Sequence, residues 1–193
     1  IHSITSTLAS SHLIKACCKK FNITYHETAV GFKYFSPILE EAHSTKKCCL
    51  AVESSGGFST SFHTFEKCGF LPILALAILC DIEQQPLSWF KNQLYQDFPT
   101  FYFTESEYQF KPTKKNLITA FLNSTTIEKL TLLTDIPISS INQTDGLKIE
   151  FSNGWGLCRL SGTEPLARIY SEATSKEVSQ KLNQTMTFLL NSI

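Results

Sequence analysis

Short apolar runs alternate with segments of helical periodicity along residues 1–88, and this alternation constrains the fold more than any other feature of the chain. Ser10 and Ser11 precede the first helical segment and can cap it. Strands that alternate with helices are typical of α/β proteins. We therefore expect residues 1–88 to form an α/β domain, a mixed sheet with flanking helices. The strand-like runs lie near residues 1–8, 23–26 and 48–53, and the helical segments lie near residues 12–21, 37–42 and 69–81.

A hairpin pattern dominates the last third of the chain. Apolar and polar residues alternate from Asp145 to Phe151, which marks a half-buried strand. Asn153-Gly154 follows this strand and is a strong signal for a tight turn between antiparallel strands. We therefore expect Trp155–Leu160 to pair back on the first strand.

Further elements complete a small second domain. A third strand is expected near residues 167–172, and helices are expected near residues 114–123 and 176–190. Together with the hairpin they predict that residues 114–193 form an α+β domain, an antiparallel sheet with helices. Residues 89–113 are rich in aromatic and polar residues and contain two prolines, so we expect a linker region there.

Charge and cysteine content restrict the classes of function. The chain has 17 basic and 17 acidic residues, so no overall field attracts nucleic acid or an acidic membrane surface. No apolar run approaches the roughly 20 residues that a membrane span requires. The seven cysteines form no Cys-x-x-Cys pair and the five histidines are scattered. We therefore expect reduced thiols, no metal site and a soluble, cytoplasmic protein.

The segment from Arg159 to Arg168 has the composition of an anion-binding loop. Gly162 permits close approach of backbone amides, while Ser161 and Thr163 add hydroxyl donors. Arg159 and Arg168 supply planar guanidinium groups that can donate paired hydrogen bonds to a phosphate group. A capped turn with both arginines in surface ion pairs is the alternative interpretation of the same residues.

A second polar loop follows the strand-like run at residues 48–53. Glu53 offers a carboxylate acceptor and Ser55 a hydroxyl, while Gly56 and Gly57 allow the loop to close around a ring. This pattern suits recognition of sugar hydroxyls. A flexible exposed loop without a ligand is the alternative.

These loops resemble those of one enzyme family. The sequence Arg-x-Ser-Gly-Thr-Glu-Pro-x-x-Arg resembles the phosphate-binding loop of the α-D-phosphohexomutases, the phosphoglucomutase and phosphomannomutase family. Val52–Phe58 is similar to the sugar-binding loop of that family, and Glu27–Lys33 is similar to a segment that lines its cleft. The resemblance implies that the phosphate of the sugar's non-reacting end is held by Arg159, Ser161, Gly162, Thr163 and Arg168. It implies that the substrate is also bound by Glu53, Ser55, Gly31, Lys33 and Lys67.

Two departures from the family pattern affect these expectations. Val30 stands where the family often has Thr, and Cys68 stands where the family has the Asp of a Lys-Asp-Gly sequence. The thiol of Cys68 caps a helix poorly, so Lys67 is held in a different way or the helix start is weaker. Ordinary solvated lysines are the alternative interpretation of Lys33 and Lys67.

The resemblance covers most of the third domain and all of the fourth domain of the family. It implies that the chain is a fragment of an isomerase, an intramolecular phosphotransferase of carbohydrate metabolism. Such an enzyme interconverts hexose 1-phosphate and hexose 6-phosphate through a phosphoserine and a bisphosphate intermediate. The catalytic Ser and the Asp-x-Asp-x-Asp loop for Mg²⁺ are missing here, so we expect no catalytic residue in this chain and no activity from it alone.

The resemblance also implies cofactors and partners. Mg²⁺ and hexose 1,6-bisphosphate would serve the full-length enzyme, and neither is expected to be bound by residues of this chain alone. The expected partners are a hexose phosphate and the missing N-terminal domains. A non-catalytic relative that binds sugar phosphates as a sensor or regulator is the alternative function.

Overall fold

Parallel strand pairing organises the first half of the protein. The computed structural model describes residues 1–193 and divides them into two units, residues 1–100 and residues 101–193. The first unit contains the strands β1 (Ser3–Thr7), β2 (Thr24–Thr28), β3 (Cys49–Val52) and β4 (Phe58–Thr60). It also contains the helices α1 (His12–Lys20), α2 (Ser36–Ser44), α3 (Phe70–Glu83) and α4 (Leu87–Asp97).

The sheet of the first unit has the strand order β2-β1-β3-β4. Strand β1 pairs in parallel with both β2 and β3, while the short strand β4 runs antiparallel to β3. The connections through α1 and α2 therefore link parallel strands, as in βαβ units. The predicted mixed sheet with flanking helices is confirmed.

Local sequence signals account for the first two helices. The hydroxyl of Ser11 accepts a 3.1 Å hydrogen bond from the amide of Leu13 and caps α1. Pro37 lies in the first turn of α2, where a missing amide donor costs little. Helix α2 then packs on β3 through a small core that contains Phe32, Phe35, Leu39, Ala42, Cys49 and Ala51.

The helices α3 and α4 differ from α1 and α2 because neither has a buried residue. No single helix of the protein is long and apolar enough to cross a membrane. The pair α3 and α4 meets the length and composition criterion together, but the two helices are bent by 90° at their junction.

An antiparallel sheet organises the second unit. Its strands are β5 (Tyr102–Gln109), β6 (Ile138–Asn142), β7 (Leu147–Phe151), β8 (Gly154–Leu160) and β9 (Leu166–Ala173), in the order β5-β9-β8-β7-β6. Its helices are α5 (Lys115–Ser124), α6 (Ile127–Thr131) and α7 (Lys176–Asn191). The sheet packs on the helices through Ile149, Ile169, Leu182 and Met186, among other buried residues. The predicted α+β fold is confirmed.

The hairpin between β7 and β8 lies where the Asn-Gly signal predicts it, but its loop is shifted by one residue. Gly154 pairs with Phe151, so Ser152 and Asn153 form the turn. Gly154 has another role, because a Cβ atom there would collide with the carbonyl oxygen of Glu172 and lie 2.8 Å from Leu182. Close packing requires this glycine.

Residues 89–113 are not a linker in the structure. Most of α4 and all of β5 fall in this range. Strand β5 pairs with β9 along its whole length, from Tyr102 to Gln109. Its polar residues resemble a loop in the sequence, yet two of them bond to α7. The hydroxyl of Thr104 lies 2.8 Å from that of Ser179, and Ser106 donates a 2.6 Å hydrogen bond to Asn183.

Candidate functional site

Three parallel strands of the first unit end at the same edge of the sheet. Thr7 of β1 is in register with Thr28 of β2, and Ser6 is in register with Val52 of β3. Ligands of open α/β sheets bind outside the carboxyl ends of the strands. Two of the predicted segments lie at this edge. Glu27–Lys33 continues from the end of β2, and residues 53–57, which we call the Glu53 loop, follow β3.

The Glu53 loop is a tight backbone turn. The amide of Glu53 donates to the carbonyl of Gly57 over 2.9 Å, and the amide of Gly56 donates to the carbonyl of Glu53 over 3.0 Å. Gly56 has a φ of 83°, a conformation that favours glycine. Two backbone hydrogen bonds and a glycine with positive φ therefore shape this loop.

Three predicted sugar-binding residues meet in this loop. The hydroxyl of Ser55 donates to Glu53 Oε2 over 3.2 Å, and the ammonium of Lys67 lies 3.0 Å from the same oxygen. Lys67 also donates a 2.9 Å hydrogen bond to Ser55. The side chain of Glu53 is 9% exposed and that of Lys67 is 48% exposed. The charge of Glu53 is therefore held by neighbours, while Lys67 stays accessible to solvent.

Gly57 makes room for this cluster, a role that the sequence pattern did not reveal. A Cβ atom at Gly57 would lie 3.0 Å from Glu53 Oε2 and within 3.0 Å of the Lys67 side chain. The lysine therefore passes over the glycine to reach the carboxylate. A side chain at this position would force the lysine to shift.

Backbone pairing holds Lys67 despite the replacement of the family's Asp by Cys68. The amide of Cys68 donates a 3.0 Å hydrogen bond to the carbonyl of Phe58, which forms an antiparallel bridge beside β4. Gly69 begins α3 without a side-chain cap. Lys67 is thus placed by the strand next to it, and the helix start has no side-chain cap because its N-cap position is Gly69.

The other predicted cleft segment presents its lysine separately. Gly31 has a φ of 135° and precedes a 3₁₀ turn at Phe32–Tyr34. Phe32 and Phe35 are buried and anchor the turn. Lys33 is exposed, and its ammonium lies 5.0 Å from the centre of the Tyr34 ring. The cluster of Glu53, Ser55 and Lys67 does not include it.

The predicted phosphate loop connects β8 to β9 in the second unit. The amide of Ser161 donates to the carbonyl of Leu166 over 2.9 Å and closes the loop. The hydroxyl of Ser161 accepts from the amides of Thr163 and Glu164 over 3.4 Å and 3.3 Å. Gly162 and Thr163 are exposed, and nothing lies within 4 Å of the position of a Cβ at Gly162. The loop is preformed and open to solvent.

Arg159 and Arg168 lie directly opposite each other at the base of this loop. Like charges in this position repel unless acidic groups offset them. Arg159 Nε lies 3.1 Å from Asp145 Oδ2, and this ion pair is partly buried. A hydrogen bond to Tyr170, together with the charges of Tyr170 and of nearby Glu107 and Glu105, raises the pKa of Arg168 above its ordinary value.

Asp145 is a site residue that sequence reasoning did not assign. Gly146 follows it with a φ of 86°, and a Cβ at this glycine would lie 2.9 Å from Arg159 Cα. The Asp-Gly pair therefore allows Asp145 to reach Arg159. Because the ion pair uses Nε, the two Nη groups of Arg159 provide four further donor hydrogens.

The acidic residues do not form a metal site. No group of three or more His, Cys, Asp or Glu side chains is arranged to hold a metal ion. The residues present therefore do not provide the set of oxygen ligands that Mg²⁺ requires.

Comparison with known proteins connects both units to one family. The family model described as phosphoglucomutase/phosphomannomutase, alpha/beta/alpha domain III, matches residues 2–98. The model described as phosphoglucomutase/phosphomannomutase, C-terminal domain, matches residues 115–187. A phosphomannomutase of Mycoplasma genitalium is 28% identical over 182 residues, which cover 89% of this chain and 33% of the relative. A phosphoglucomutase/phosphomannomutase of Thermococcus kodakarensis is 26% identical, with coverage of 92% and 35%.

Solved structures share the fold. The phosphoglucomutase pp63/parafusin of Paramecium matches with a TM-score of 0.70 and 20% identity, over 96% of this chain and 38% of that one. A phosphoglucomutase/phosphomannomutase family protein of Burkholderia thailandensis matches with a TM-score of 0.67 and 20% identity, over 99% and 37%. This chain spans about one third of the length of these relatives.

Proposed function

This chain belongs to the phosphoglucomutase/phosphomannomutase family, and we propose that it supplies sugar and distal-phosphate recognition in a longer mutase. That enzyme would interconvert hexose 1-phosphate and hexose 6-phosphate through a phosphoserine and a bisphosphate intermediate. The observation that carries the proposal is the cluster of Glu53, Ser55 and Lys67 at the carboxyl edge of the parallel sheet. The relatives are named as mutases of phosphorylated sugars.

The cluster suits a pair of neighbouring sugar hydroxyls. Glu53 Oε2 can accept a hydrogen bond from one hydroxyl, and the ammonium of Lys67 can donate to another. In the structure Lys67 forms an ion pair with the carboxylate itself. A bound sugar would replace part of the contact between Lys67 and Glu53 with hydrogen bonds from its hydroxyls to the carboxylate and from the ammonium to its hydroxyls. The backbone of the loop would not have to rearrange.

The second unit suits the phosphate at the non-reacting end. Arg159 can grip two phosphate oxygens through its Nη groups while Asp145 fixes its Nε. The amide of Gly162 and the hydroxyl of Thr163 lie in the exposed part of the loop and can add donors. Arg168 adds a second positive charge across the strand pair.

These contacts would act on the reaction by orientation. Phosphoryl transfer requires an in-line arrangement of the attacking and leaving oxygens, so a firm hold on the distal end positions the reacting end. Binding that does not distinguish the two orientations of the bisphosphate intermediate would position it for both phosphoryl transfers. In this proposal the phosphoserine and Mg²⁺ belong to polypeptide outside this chain.

Ligand binding by this chain tests the recognition roles. Calorimetric titrations with glucose 6-phosphate, glucose and inorganic phosphate should give the highest affinity for the sugar phosphate. Glu53→Gln should weaken binding of glucose 6-phosphate and of glucose. Arg159→Lys should weaken binding of only glucose 6-phosphate and inorganic phosphate. Equal affinity of wild type and both variants for glucose 6-phosphate would refute the proposal.

A mutase assay separates the enzyme from the alternative of a sensor. The longer protein that contains this chain should convert glucose 1-phosphate to glucose 6-phosphate when Mg²⁺ and glucose 1,6-bisphosphate are supplied. Binding of the sugar phosphate without any turnover would instead favour the non-catalytic relative.

A further inference from the structure

Helix α3 exposes an apolar surface that its own unit covers only in part. None of its residues is buried, and no charged residue occurs from Phe70 to Cys80. Phe70 is 84% exposed, Ile73 is 67% exposed and Ile82 is 70% exposed. The other large exposed side chains of the helix are Leu74, Leu76, Ile78 and Leu79.

The apolar side chains surround the helix instead of forming one stripe. At 100° per residue, Phe70, Leu76 and Ile78 point in three widely separated directions. A helix that is apolar on all sides is typical of the interior of a larger protein or of a membrane. A contact with a second copy would cover one side of such a helix and leave the others in water.

A membrane fits this helix less well than protein does. Its 14 residues extend roughly 21 Å, compared with about 30 Å for the hydrocarbon core of a bilayer. Helix α3 contains no Lys or Arg that could anchor it at an anionic surface, and α4 contains only Lys91.

We propose that α3 docks into an apolar core formed by the additional polypeptide that its relatives possess. Three relatives match 89–94% of this chain, but the chain covers only 33–37% of their length. Most of a parent protein of that size would therefore lie outside this chain. The inference rests on the proposal that this chain is part of such a protein, and not on the roles of the sugar or phosphate loops.

Docking of α3 would also constrain the sugar loop. Lys67 and Cys68 lie directly before the first turn of the helix, which has no side-chain cap. When the helix is fixed, the strand bridge at Cys68 and the helix start would hold Lys67 from both sides. The additional polypeptide would thus support the Glu53 cluster through α3.

Hydrogen exchange measured by mass spectrometry tests the docking. Peptides from residues 70–83 should exchange at least 100-fold more slowly in the longer protein than in the 193-residue chain. Peptides from α7 provide the control, because this helix has six buried residues in its own unit and should be protected in both. Equal exchange of α3 in the two proteins would overturn the proposal.

Two further outcomes would assign α3 to another occupant and also overturn the proposal. One is protection in the 193-residue chain that rises with protein concentration, which indicates self-association. The other is protection only in the presence of phosphatidylcholine and phosphatidylserine vesicles, which indicates a lipid surface. Neither outcome bears on sugar-phosphate binding, so failure here is distinct from failure of the proposed function.

A matched pair of variants gives a second test. Ile73→Asp should lower the melting temperature of the longer protein strongly, because it places a charge in the proposed core, and should leave that of the 193-residue chain nearly unchanged. Leu132→Asp is the control, since Leu132 is 86% exposed in the second unit. It should change neither protein. Equal effects of Ile73→Asp in both proteins would contradict docking.

Discussion

The ammonium of Lys67 lies 3.0 Å from the Glu53 carboxylate and crosses Gly57 to reach it. This pair joins the end of β3 to the segment before α3, two regions that are separate in the sequence. The acceptor proposed for the sugar is therefore paired with Lys67, and its chemistry depends on how Lys67 is held.

The charge of Glu53 should be essential to turnover in the longer enzyme. Glu53→Gln keeps the shape of the side chain but removes a charged acceptor, whose hydrogen bonds contribute roughly 1.5–3 kcal/mol. We expect kcat/KM to fall by about 10- to 150-fold with little change in the circular dichroism spectrum. Unchanged kcat/KM would mean that the loop does not bind the sugar.

A methyl group at position 57 should disturb the cluster of Glu53, Ser55 and Lys67. Gly57→Ala places a Cβ within 3.0 Å of Lys67, so the lysine side chain has to leave its path to Glu53 or shift along it. We expect weaker binding of glucose 6-phosphate by calorimetry. Gly69→Ala is the control, because nothing lies within 4 Å of a Cβ at that position. Similar affinities for the two variants would show that the path over Gly57 is not required.

Arg159 should act through the phosphate of its ligand. Arg159→Lys keeps the charge but loses the bidentate fork, and we expect kcat/KM for a hexose phosphate to fall roughly 10- to 100-fold, or about 1.4–2.7 kcal/mol. Binding of the unphosphorylated hexose should change little. Equal losses for both ligands would show that the Asp145 ion pair supports the fold instead.

Burial of the Cys158 thiol should lower the free energy of unfolding at high pH. Burial raises the pKa of this thiol from 9.0 to about 12, so the folded state holds the proton that the unfolded state loses. The contribution is complete below pH 9 and declines as pH rises from about 9 to about 12. At pH 10.5 the decline amounts to about 2 kcal/mol, at about 1.4 kcal/mol per pH unit. Urea unfolding of Cys158→Ala should show a smaller decline between pH 8 and 10.5, and an identical decline would contradict this account.

The chain alone should not catalyse the mutase reaction. It contains neither an Asp-x-Asp-x-Asp sequence nor an acidic cluster that could hold Mg²⁺. We expect no turnover above a buffer control in a coupled assay with Mg²⁺ and glucose 1,6-bisphosphate. Activity of the purified chain would place catalytic groups among the residues described here.

Local patterns were sufficient for the order of most elements. Helical spacing placed α1, because residues three and four apart share a helix face whatever the rest of the fold does. The helices α2, α3, α5 and α7 also lie near their predicted positions. The hairpin of β7 and β8 followed from alternation and a turn signal between neighbouring strands. The candidate loops were also recognisable, since their residues are contiguous in the chain.

Contacts between distant segments depended on the tertiary structure. The polar strand β5 resembles a loop until β9 and α7 supply its hydrogen-bond partners, Ser179 and Asn183 among them. The same holds for the pairing of Asp145 with Arg159 and for the passage of Lys67 over Gly57. Local periodicity reflects the geometry of one helix or strand, whereas these contacts arise only when packing brings separate segments within a few ångströms of each other.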